Sequence, residues 1–201
     1  MQHFVYGETE IDHLQRRDKR LGREIERLGM IERQVIPDPF EALIRSIISQ
    51  QISRKAADTV SGRMCDLLAN SIAPQAIIDI GMPAIQGCGM SERKAGYIMG
   101  IAEAALSGEV DFGALHTLPD EEIVKMLTSL KGVGVWTAEM LLIFSLGRPN
   151  VVSYGDLAIR RGMISLYGLE DLSREQFARY AKRYSPYGSV ASLYLWALAG
   201  Q

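Results

Sequence analysis

The stretch Leu130–Asp156, LKGVGVWTAEMLLIFSLGRPNVVSYGD, decides the fold that we predict for this chain. Gly132 and Gly134 predict a tight turn, because glycine accepts a positive φ and lets a backbone approach a ligand closely. A helix over residues 137–146 is predicted next, and a short extended run then leads to Asp156 at the start of another helix. Because N–H groups at a helix start can bind phosphate, the turn is either a phosphate site or a connector between packed helices.

On both sides of this stretch, apolar residues recur at helical spacing, as in the run Phe40, Leu43, Ile44, Ile47 and Ile48. Apolar residues at i, i+3, i+4 and i+7 are typical of an amphipathic helix. Strand-like alternation is missing beyond Val151-Val152. The pattern therefore predicts an all-α chain of about ten helices.

Polar residues predict where several of these helices begin. Ser53 and Ser91 stand at N-cap positions, and Ser173 and Gln176 have the spacing of a capping box. Asp156 also stands at a predicted N-cap, where the positive end of the helix dipole favours a negative charge. From its position alone, Asp156 is either a simple cap or a carboxylate placed for chemistry.

The charge of the chain argues against a protein that binds DNA over its whole surface. Its formal net charge is −2 and its pI is about 6.0. Residues 130–201 nevertheless hold eight Lys or Arg against five Asp or Glu, which permits a localised phosphate contact. Residues 12–34 interleave basic side chains with Asp18, Glu24 and Glu26, which predicts a solvated helix face rather than a DNA patch.

The composition favours a protein of a reducing compartment. No apolar run approaches the ~20 residues of a membrane span, and the N-terminal residues lack the pattern of a secretory signal. Cys65 and Cys88 form neither a CxxC pair nor a disulfide framework, so we expect a cytoplasmic location. The chain also lacks four clustered cysteines for an iron–sulfur site, and His3, His13 and His116 are too scattered to predict a metal centre.

Three segments together resemble the helix–hairpin–helix DNA glycosylase superfamily. They are EALIRSIISQQIS, LKGVGVWTA followed by Asp156, and RYAKRYSPYGSVASLYLW. The resemblance covers nearly the whole chain and is closest to the 3-methyladenine DNA glycosylase II branch, in a short form without the N-terminal β domain. It implies an all-α fold of two helical lobes with a cleft between them. The lobes implied are residues 1–39 with 126–201, which carry the hairpin and the catalytic Asp, and residues 40–125.

The resemblance implies roles for individual residues. Asp156 would be the catalytic carboxylate, and Gln51 would be the wedge inserted into the DNA stack, although an ordinary helix connector also explains Gln50 and Gln51. The residues implied to bind DNA at the hairpin are Lys131, Gly132, Val133, Gly134 and Thr137. The residues implied to line the base pocket are Trp136, Trp196, Tyr154 and Tyr187.

An aromatic pocket suits a cationic base, because electron-rich rings attract positive charge. Alkylated purines such as 3-methyladenine and 7-methylguanine are cationic. Core packing is the alternative explanation for Trp136 and Trp196. Met140 and Leu157 stand where the closest family pattern has further aromatics, so the base spectrum is left open.

Lyase-type members of the family place a nucleophilic Lys where this chain has Trp136, so the resemblance implies a monofunctional enzyme that uses water. No cofactor is required. The family hairpin can hold a structural Na⁺ or K⁺ ion on main-chain carbonyls, which would here belong to Thr128, Leu130 and Gly132.

The resemblance implies a base excision repair enzyme that flips and removes alkylated purines from damaged double-stranded DNA. Two alternatives stay open: a glycosylase for a neutral base such as hypoxanthine or an oxidised purine, and a non-catalytic helix–hairpin–helix DNA-binding module. We expect a nucleoid-associated monomer that has no membrane partner.

Overall fold

Helices dominate residues 2–200, the part of the chain that the computed structural model describes. The predicted all-α fold class is confirmed. In chain order the elements are β1 (Gln2–His3), α1 (Glu8–Arg17), α2 (Lys19–Leu28), β2 (Gln34–Val35), α3 (Pro39–Ser49), α4 (Arg54–Leu67), α5 (Pro74–Gly87), α6 (Glu92–Ser107), a 3₁₀ turn (Leu115–Thr117), α7 (Asp120–Thr128), α8 (Val135–Phe144), α9 (Leu157–Tyr167), α10 (Arg174–Tyr184) and α11 (Gly188–Ala199).

The predicted helix starts are confirmed by hydrogen bonds. The side chains of Ser53 and Ser91 accept N–H groups in the first turns of α4 and α6. Ser173 and Gln176 form the predicted capping box at α10. Each cap satisfies a helix N–H that has no intrahelical acceptor.

The strand content differs from the prediction. β1 and β2 form an antiparallel pair of two residues each. Val151 and Val152 lie in a loop instead, because the N–H of Val151 donates to the Ser189 hydroxyl rather than to a strand. Eleven α-helices are present in residues 2–200, close to the number expected.

The described chain separates into two compact units, Met1–Val35 with Leu142–Gln201 (unit 1) and Ile36–Leu141 (unit 2). These units differ from the expected lobes at both boundaries, because residues 36–39 and 126–141 group with the middle of the chain. A hydrogen bond from the Gln50 amide to the Gly132 carbonyl, 3.0 Å long, ties the hairpin to the end of α3 within unit 2. The terminal residues 1 and 201 lie outside the described residues.

Unit 2 is built around α3. The apolar residues that predicted this helix are all buried, namely Phe40, Leu43, Ile44, Ile47 and Ile48. Helix α3 packs against α4 and α6, and α5 packs against α6. Pro39 in the first turn and the Asp38 carboxylate, which accepts the N–H of Glu41, define where α3 begins.

Unit 1 is held partly by a buried polar cluster that the sequence did not predict. Asp18 was expected on a solvated face, but it is only 4% exposed and caps α2. Its carboxylate also accepts the Tyr167 hydroxyl at 2.6 Å and lies 3.3 Å from Arg183. Burial, reinforced by the neighbouring Tyr184 and Asp18, raises the pKa of Tyr167, so its hydroxyl stays protonated and donates to Asp18.

A close helix contact in unit 1 lies between α9 and α11. Gly162 in α9 packs directly on the backbone of Leu195 in α11, and a Cβ at Gly162 would lie 2.1 Å from the Leu195 carbonyl oxygen. Glycine at this position therefore sets the distance between the two helices. Helix α9 in turn carries Asp156 at its N-cap.

We expect Gly162→Ala to lower the free energy of unfolding by about 1–3 kcal/mol, the usual cost of overpacking a core. The measurement is urea unfolding followed by circular dichroism. Gly100→Ala is the matched control, because Gly100 is an exposed helical glycine in α6 with open space at its Cβ. The control should gain up to about 1 kcal/mol from helix propensity. An equal effect of both substitutions would contradict the close packing of α9 on α11.

Candidate functional site

The hairpin joins α7 to α8 through residues 129–134. Leu130 and Val133 are buried, whereas Lys131 and Gly134 are exposed. The carbonyl of Gly134 accepts the N–H of Ala138, so α8 begins directly after this glycine. The first N–H groups of α8 have no acceptor within the helix and carry the positive end of its dipole. This arrangement suits an anion such as a phosphate.

Position 132 is the one in this hairpin that requires glycine. Its φ is +88°, and a Cβ there would lie 2.2 Å from the ring of Tyr97. Gly134 has open space at its Cβ position, so its lack of a side chain leaves the surface accessible rather than relieving a clash. The predicted positive φ is therefore present at Gly132, where the close approach is to the Tyr97 ring.

Three main-chain carbonyls of this hairpin were predicted to hold a monovalent cation. The Leu130 oxygen accepts the N–H of Val133 at 3.2 Å, and the Gly132 oxygen accepts the Gln50 amide at 3.0 Å. A carbonyl oxygen has two lone pairs, so each keeps one for another partner. Together with the Thr128 carbonyl, these neutral oxygen donors fit a hard cation. Within residues 2–200, no cluster of three His, Cys, Asp or Glu could hold a metal, and no helix could cross a membrane.

The predicted wedge residue, Gln51, lies at the tip of the turn between α3 and α4 and is exposed. Its φ is +55°, in the left-handed region that non-glycine residues rarely adopt. The neighbouring Gln50 is half-buried and points its amide at Gly132. The turn therefore presents one glutamine outward and uses the other to bind the hairpin.

Asp156 occupies the N-cap of α9, as predicted, and is only 7% exposed. Its Oδ1 accepts the N–H of Ile159 at 2.9 Å, and its main-chain carbonyl accepts the N–H of Arg160 at 3.1 Å. Burial and the helix N-terminus hold the carboxylate in one place. A buried carboxylate so held is preorganised to stabilise positive charge on a ligand.

The loop that delivers Asp156 is fastened to the start of α11 by serine hydroxyls. Ser189 accepts the N–H of Val151 at 3.0 Å and donates to the carbonyl of Arg148 at 2.6 Å. The Ser192 hydroxyl lies 3.0 Å from the Val151 carbonyl. Gly188 permits this approach, because a Cβ there would lie 2.7 Å from the Val152 side chain. Residues 188–192 (GSVAS), which are distant in the sequence, thus help to position Asp156, the catalytic candidate.

Trp136 is the second residue of α8 and is 42% exposed. This exposure argues against the alternative that Trp136 is a core tryptophan. Val135 beside it is 56% exposed. In unit 2, the start of α8 therefore offers an accessible aromatic ring next to the hairpin.

The other three aromatic candidates lie in unit 1 and are half-buried. Trp196 packs against Phe144 with ring centroids 5.3 Å apart. The guanidinium groups of Arg160 and Arg174 lie 5.3 and 4.6 Å from the Tyr154 ring, and Phe177 meets that ring edge-on.

Tyr187 stands at the N-cap of α11 and meets the His13 ring edge-on at 5.2 Å. Tyr154 and Tyr187 are thus already engaged in packing within unit 1, and Trp196 packs on one ring. The assignment of these aromatics to a base pocket stays a prediction.

Several supporting residues escaped the sequence analysis. Lys94 is one of them, because its ammonium donates to the carbonyls of Ile48 and Gln50 at the turn that carries Gln51. Tyr97, Ser189 and Ser192 also had no predicted role. The sequence signal that could have pointed to Lys94 is the Ser-x-x-Lys-Ala segment that begins at Ser91.

Comparison with known proteins places this geometry in a family. The model of the HhH-GPD superfamily base excision DNA repair protein matches residues 44–186. DNA-3-methyladenine glycosylase 1 of Schizosaccharomyces pombe is 36% identical over 163 residues, which are 79% of this chain and 72% of that protein. The matched residues include the hairpin, Asp156 and the turn that carries Gln51.

Two solved structures share the fold. The crystal structure of DNA-3-methyladenine glycosidase from Bacillus halodurans has a TM-score of 0.88 and 36% identity, and covers 100% of this chain and 94% of that one. The S. pombe 3-methyladenine DNA glycosylase Mag1, in complex with abasic DNA, has a TM-score of 0.82 and 33% identity. It covers 94% of this chain and 95% of that one. The chain belongs to the HhH-GPD superfamily of base excision DNA repair proteins.

Proposed function

We propose that this chain is a monofunctional DNA glycosylase that removes alkylated purines, such as 3-methyladenine and 7-methylguanine, from double-stranded DNA. The observation that carries the proposal is the buried carboxylate of Asp156, held at the N-cap of α9 downstream of a glycine hairpin. Relatives with one third or more identical residues are named DNA-3-methyladenine glycosylases. Their names supply the substrate class that the geometry alone leaves open.

Cleavage of an N-glycosidic bond builds positive charge on the sugar, as in the oxocarbenium-like transition state of glycoside hydrolysis. A carboxylate held near the sugar stabilises that charge and can orient the attacking water. Asp156 suits this role, because the Ile159 N–H and its buried position restrict its motion before the reaction begins. The alkylated base is cationic and leaves readily, so one well-placed carboxylate is sufficient assistance.

The hairpin would grip the DNA backbone through main-chain N–H groups. Lys131 and Gly134 are exposed, and Gly132 and Val133 shape the turn between them. Thr137 is buried in the first turn of α8, so its contribution would come through the helix start and not through an exposed side chain. Such contacts bind phosphate irrespective of sequence, which suits an enzyme that must inspect any duplex.

A lyase reaction would need an amine to form a Schiff base with the sugar. Trp136 takes the place in which lyase-type members of the family carry this lysine. Lys131 lies before the glycines, on the exposed side of the hairpin. We therefore assign water as the nucleophile and an intact abasic strand as the product.

Trp136 is proposed to stack on the flipped base. Trp136 is 42% exposed, and a cationic purine would be attracted to an electron-rich ring. A neutral base such as hypoxanthine is the second candidate substrate. Leu157, which follows Asp156 and is 52% exposed, favours this alternative, because it is an apolar side chain where the closest family pattern has an aromatic ring.

The carbonyls of Thr128, Leu130 and Gly132 would hold a Na⁺ or K⁺ ion in the hairpin. When bound, such an ion would add positive charge beside the phosphate and take no part in the hydrolysis. We further propose that the protein acts as a monomer on duplex DNA. The buried Asp156 and the hairpin both belong to a single chain, so no residue from a second copy is needed.

Replacement of the carboxylate by an amide tests the catalytic assignment. We expect Asp156→Asn to lower the rate of base release by ~10²-fold or more, as is typical when one electrostatic contact to a transition state is lost. Asparagine is also a good N-cap, so α9 and duplex binding should persist. The measurement is single-turnover release of 7-methylguanine, with duplex affinity measured in parallel.

Asp38→Asn is the matched control for this variant, because Asp38 likewise caps a helix by accepting one N–H. Its excision rate should stay within about twofold of the parent, since an Asp-to-Asn exchange preserves the cap. If Asp156→Asn releases base as fast as the parent does, Asp156 is only a cap.

The substrate class is tested at Trp136. If this ring stacks on a cationic base, Trp136→Ala should lose about 2 kcal/mol of attraction, which is roughly 30-fold in the excision of 7-methylguanine. Loss on hypoxanthine should be smaller, and Trp136→Phe should fall between parent and alanine variant. Excision rates are compared at a temperature at which circular dichroism shows each variant folded. A uniform loss, or a loss mainly on hypoxanthine, would favour the neutral-base alternative.

A further inference from the structure

We propose that Lys94 is a positioning residue, which holds the Gln51 turn in the shape needed to enter the DNA stack. The inference rests on the proposed function, because it deepens the role of the wedge in base flipping. It concerns only unit 2, where the end of α3, the start of α6 and the hairpin lie together. Three hydrogen bonds support it: Lys94 donates to the carbonyls of Ile48 and Gln50, and Gln50 donates to the carbonyl of Gly132.

The first observation is the backbone conformation of the turn that carries Gln51. Gln50 has φ −57° and ψ 131°, and Gln51 has φ +55°, which are close to the values of a type II β-turn. The third residue of such a turn is usually glycine or asparagine, because a Cβ is strained there. A glutamine persists in that conformation only where its surroundings hold it. Gln51 is exposed, so the restraint must come through its neighbours.

Lys94 supplies the restraint. It lies in the first turn of α6, and its Nζ donates to the carbonyl of Ile48 at 2.8 Å and to the carbonyl of Gln50 at 2.5 Å. Carbonyls at a helix C-terminus lack intrahelical donors and carry partial negative charge. The ammonium therefore clamps the last turn of α3 to the peptide that precedes Gln51.

The half-buried position of Lys94 supports a structural task over simple solvation. Burial, together with the neighbouring charge of Arg93, lowers the pKa of Lys94. A cation that loses water needs compensating acceptors, and the two turn carbonyls are those acceptors. Arg93, one residue earlier, is exposed.

The turn is also tied to the hairpin. The Gln50 side chain donates to the Gly132 carbonyl at 3.0 Å. Tyr97, one helical turn after Lys94 on α6, lies against Gly132 so closely that a Cβ there would be 2.2 Å from the ring. These residues line a cavity of about 250 Å³ beside Gln51. Helix α6 thus supports the wedge through Lys94 and the hairpin through Tyr97.

This arrangement predicts that Lys94 matters when the duplex resists opening. A wedge must stay in place against stacked and paired bases while the lesion is extruded, and extrusion is least costly where the lesion has no partner. Without the ammonium, the Gln51 turn can relax and the wedge loses its support. The chemical step at Asp156 needs no change in this turn.

The experiment compares two duplexes that carry the same alkylated purine. In one, the lesion faces its normal pyrimidine, and in the other, the opposite nucleotide carries no base. We expect Lys94→Met to lower the single-turnover excision rate about tenfold on the paired duplex, by losing part of the help given to base flipping. The rate on the unpaired duplex should fall less than about twofold, and Lys94→Arg should restore much of the loss. An equal loss on both duplexes would overturn the inference.

Arg93→Met is the matched control, since it removes one positive charge beside the same cavity without touching the turn carbonyls. It should change the excision rates on both duplexes by the same factor. If Lys94→Met does not stay folded at the assay temperature, Lys94→Gln takes its place, because it removes the ammonium but keeps a polar side chain in the cavity. If the folded variant has the same ratio of paired-duplex to unpaired-duplex excision rates as the parent, the inference is again overturned.

A readout without catalysis separates this inference from the proposed function. A 2-aminopurine placed next to an abasic analogue fluoresces more strongly when the stack is opened. The parent should raise this fluorescence on binding, and Lys94→Met should raise it less at saturating protein. If the parent released no base but the fluorescence difference remained, the proposed function would fail and the positioning role would stand. Equal fluorescence from both proteins would refute the positioning role.

Discussion

The hydrogen bond from the Ile159 N–H to the Asp156 carboxylate is the interaction on which the proposed chemistry depends. It places a buried carboxylate at the positive end of a helix, where negative charge is stabilised. The supporting structure of unit 1 serves this placement. Ser189 and Ser192 fasten the preceding loop to α11, and Gly162 brings α9 against α11. A single carboxylate can serve a cationic leaving group only if it is held still.

Unit 2 uses backbone groups for a different task. The positive φ of Gly132 and the open surface at Gly134 shape a hairpin that exposes the start of α8. The strained turn at Gln51 presents a polar side chain at the end of α3. Lys94 satisfies the carbonyls behind this turn, and Gln50 links it to the hairpin. The low net charge of the chain fits this design, since backbone amides can grip phosphate without a large basic surface.

Local signals in the sequence predicted much of this structure. The all-α class, the caps at Ser53, Ser91 and Asp156, and the glycine hairpin depend on neighbours within a few residues, so spacing alone reveals them. Features formed by distant residues were missed. Asp18 lies beside charged neighbours in sequence, and only the fold buries it against Tyr167.

The same limit applies to the candidate site. Lys94 contacts carbonyls more than forty positions earlier in the chain, so no short motif could assign it. The link between the end of α3 and the hairpin is also a long-range hydrogen bond, from Gln50 to Gly132. The sequence predicted site residues that belong to short motifs. It did not predict the distant residues that hold them in place. The aromatic assignments came from resemblance alone and stay predictions, although Trp136 is 42% exposed.

The products of a single turnover test the central claim most directly. A duplex with one 7-methylguanine is incubated with excess protein, with and without borohydride, and both the released base and the DNA strand are identified by mass. The account predicts free 7-methylguanine, an intact strand with one abasic site, and no protein–DNA adduct, because water completes the reaction. A borohydride-trapped adduct with a cut strand would contradict the monofunctional mechanism, and the absence of released base would contradict the proposed activity.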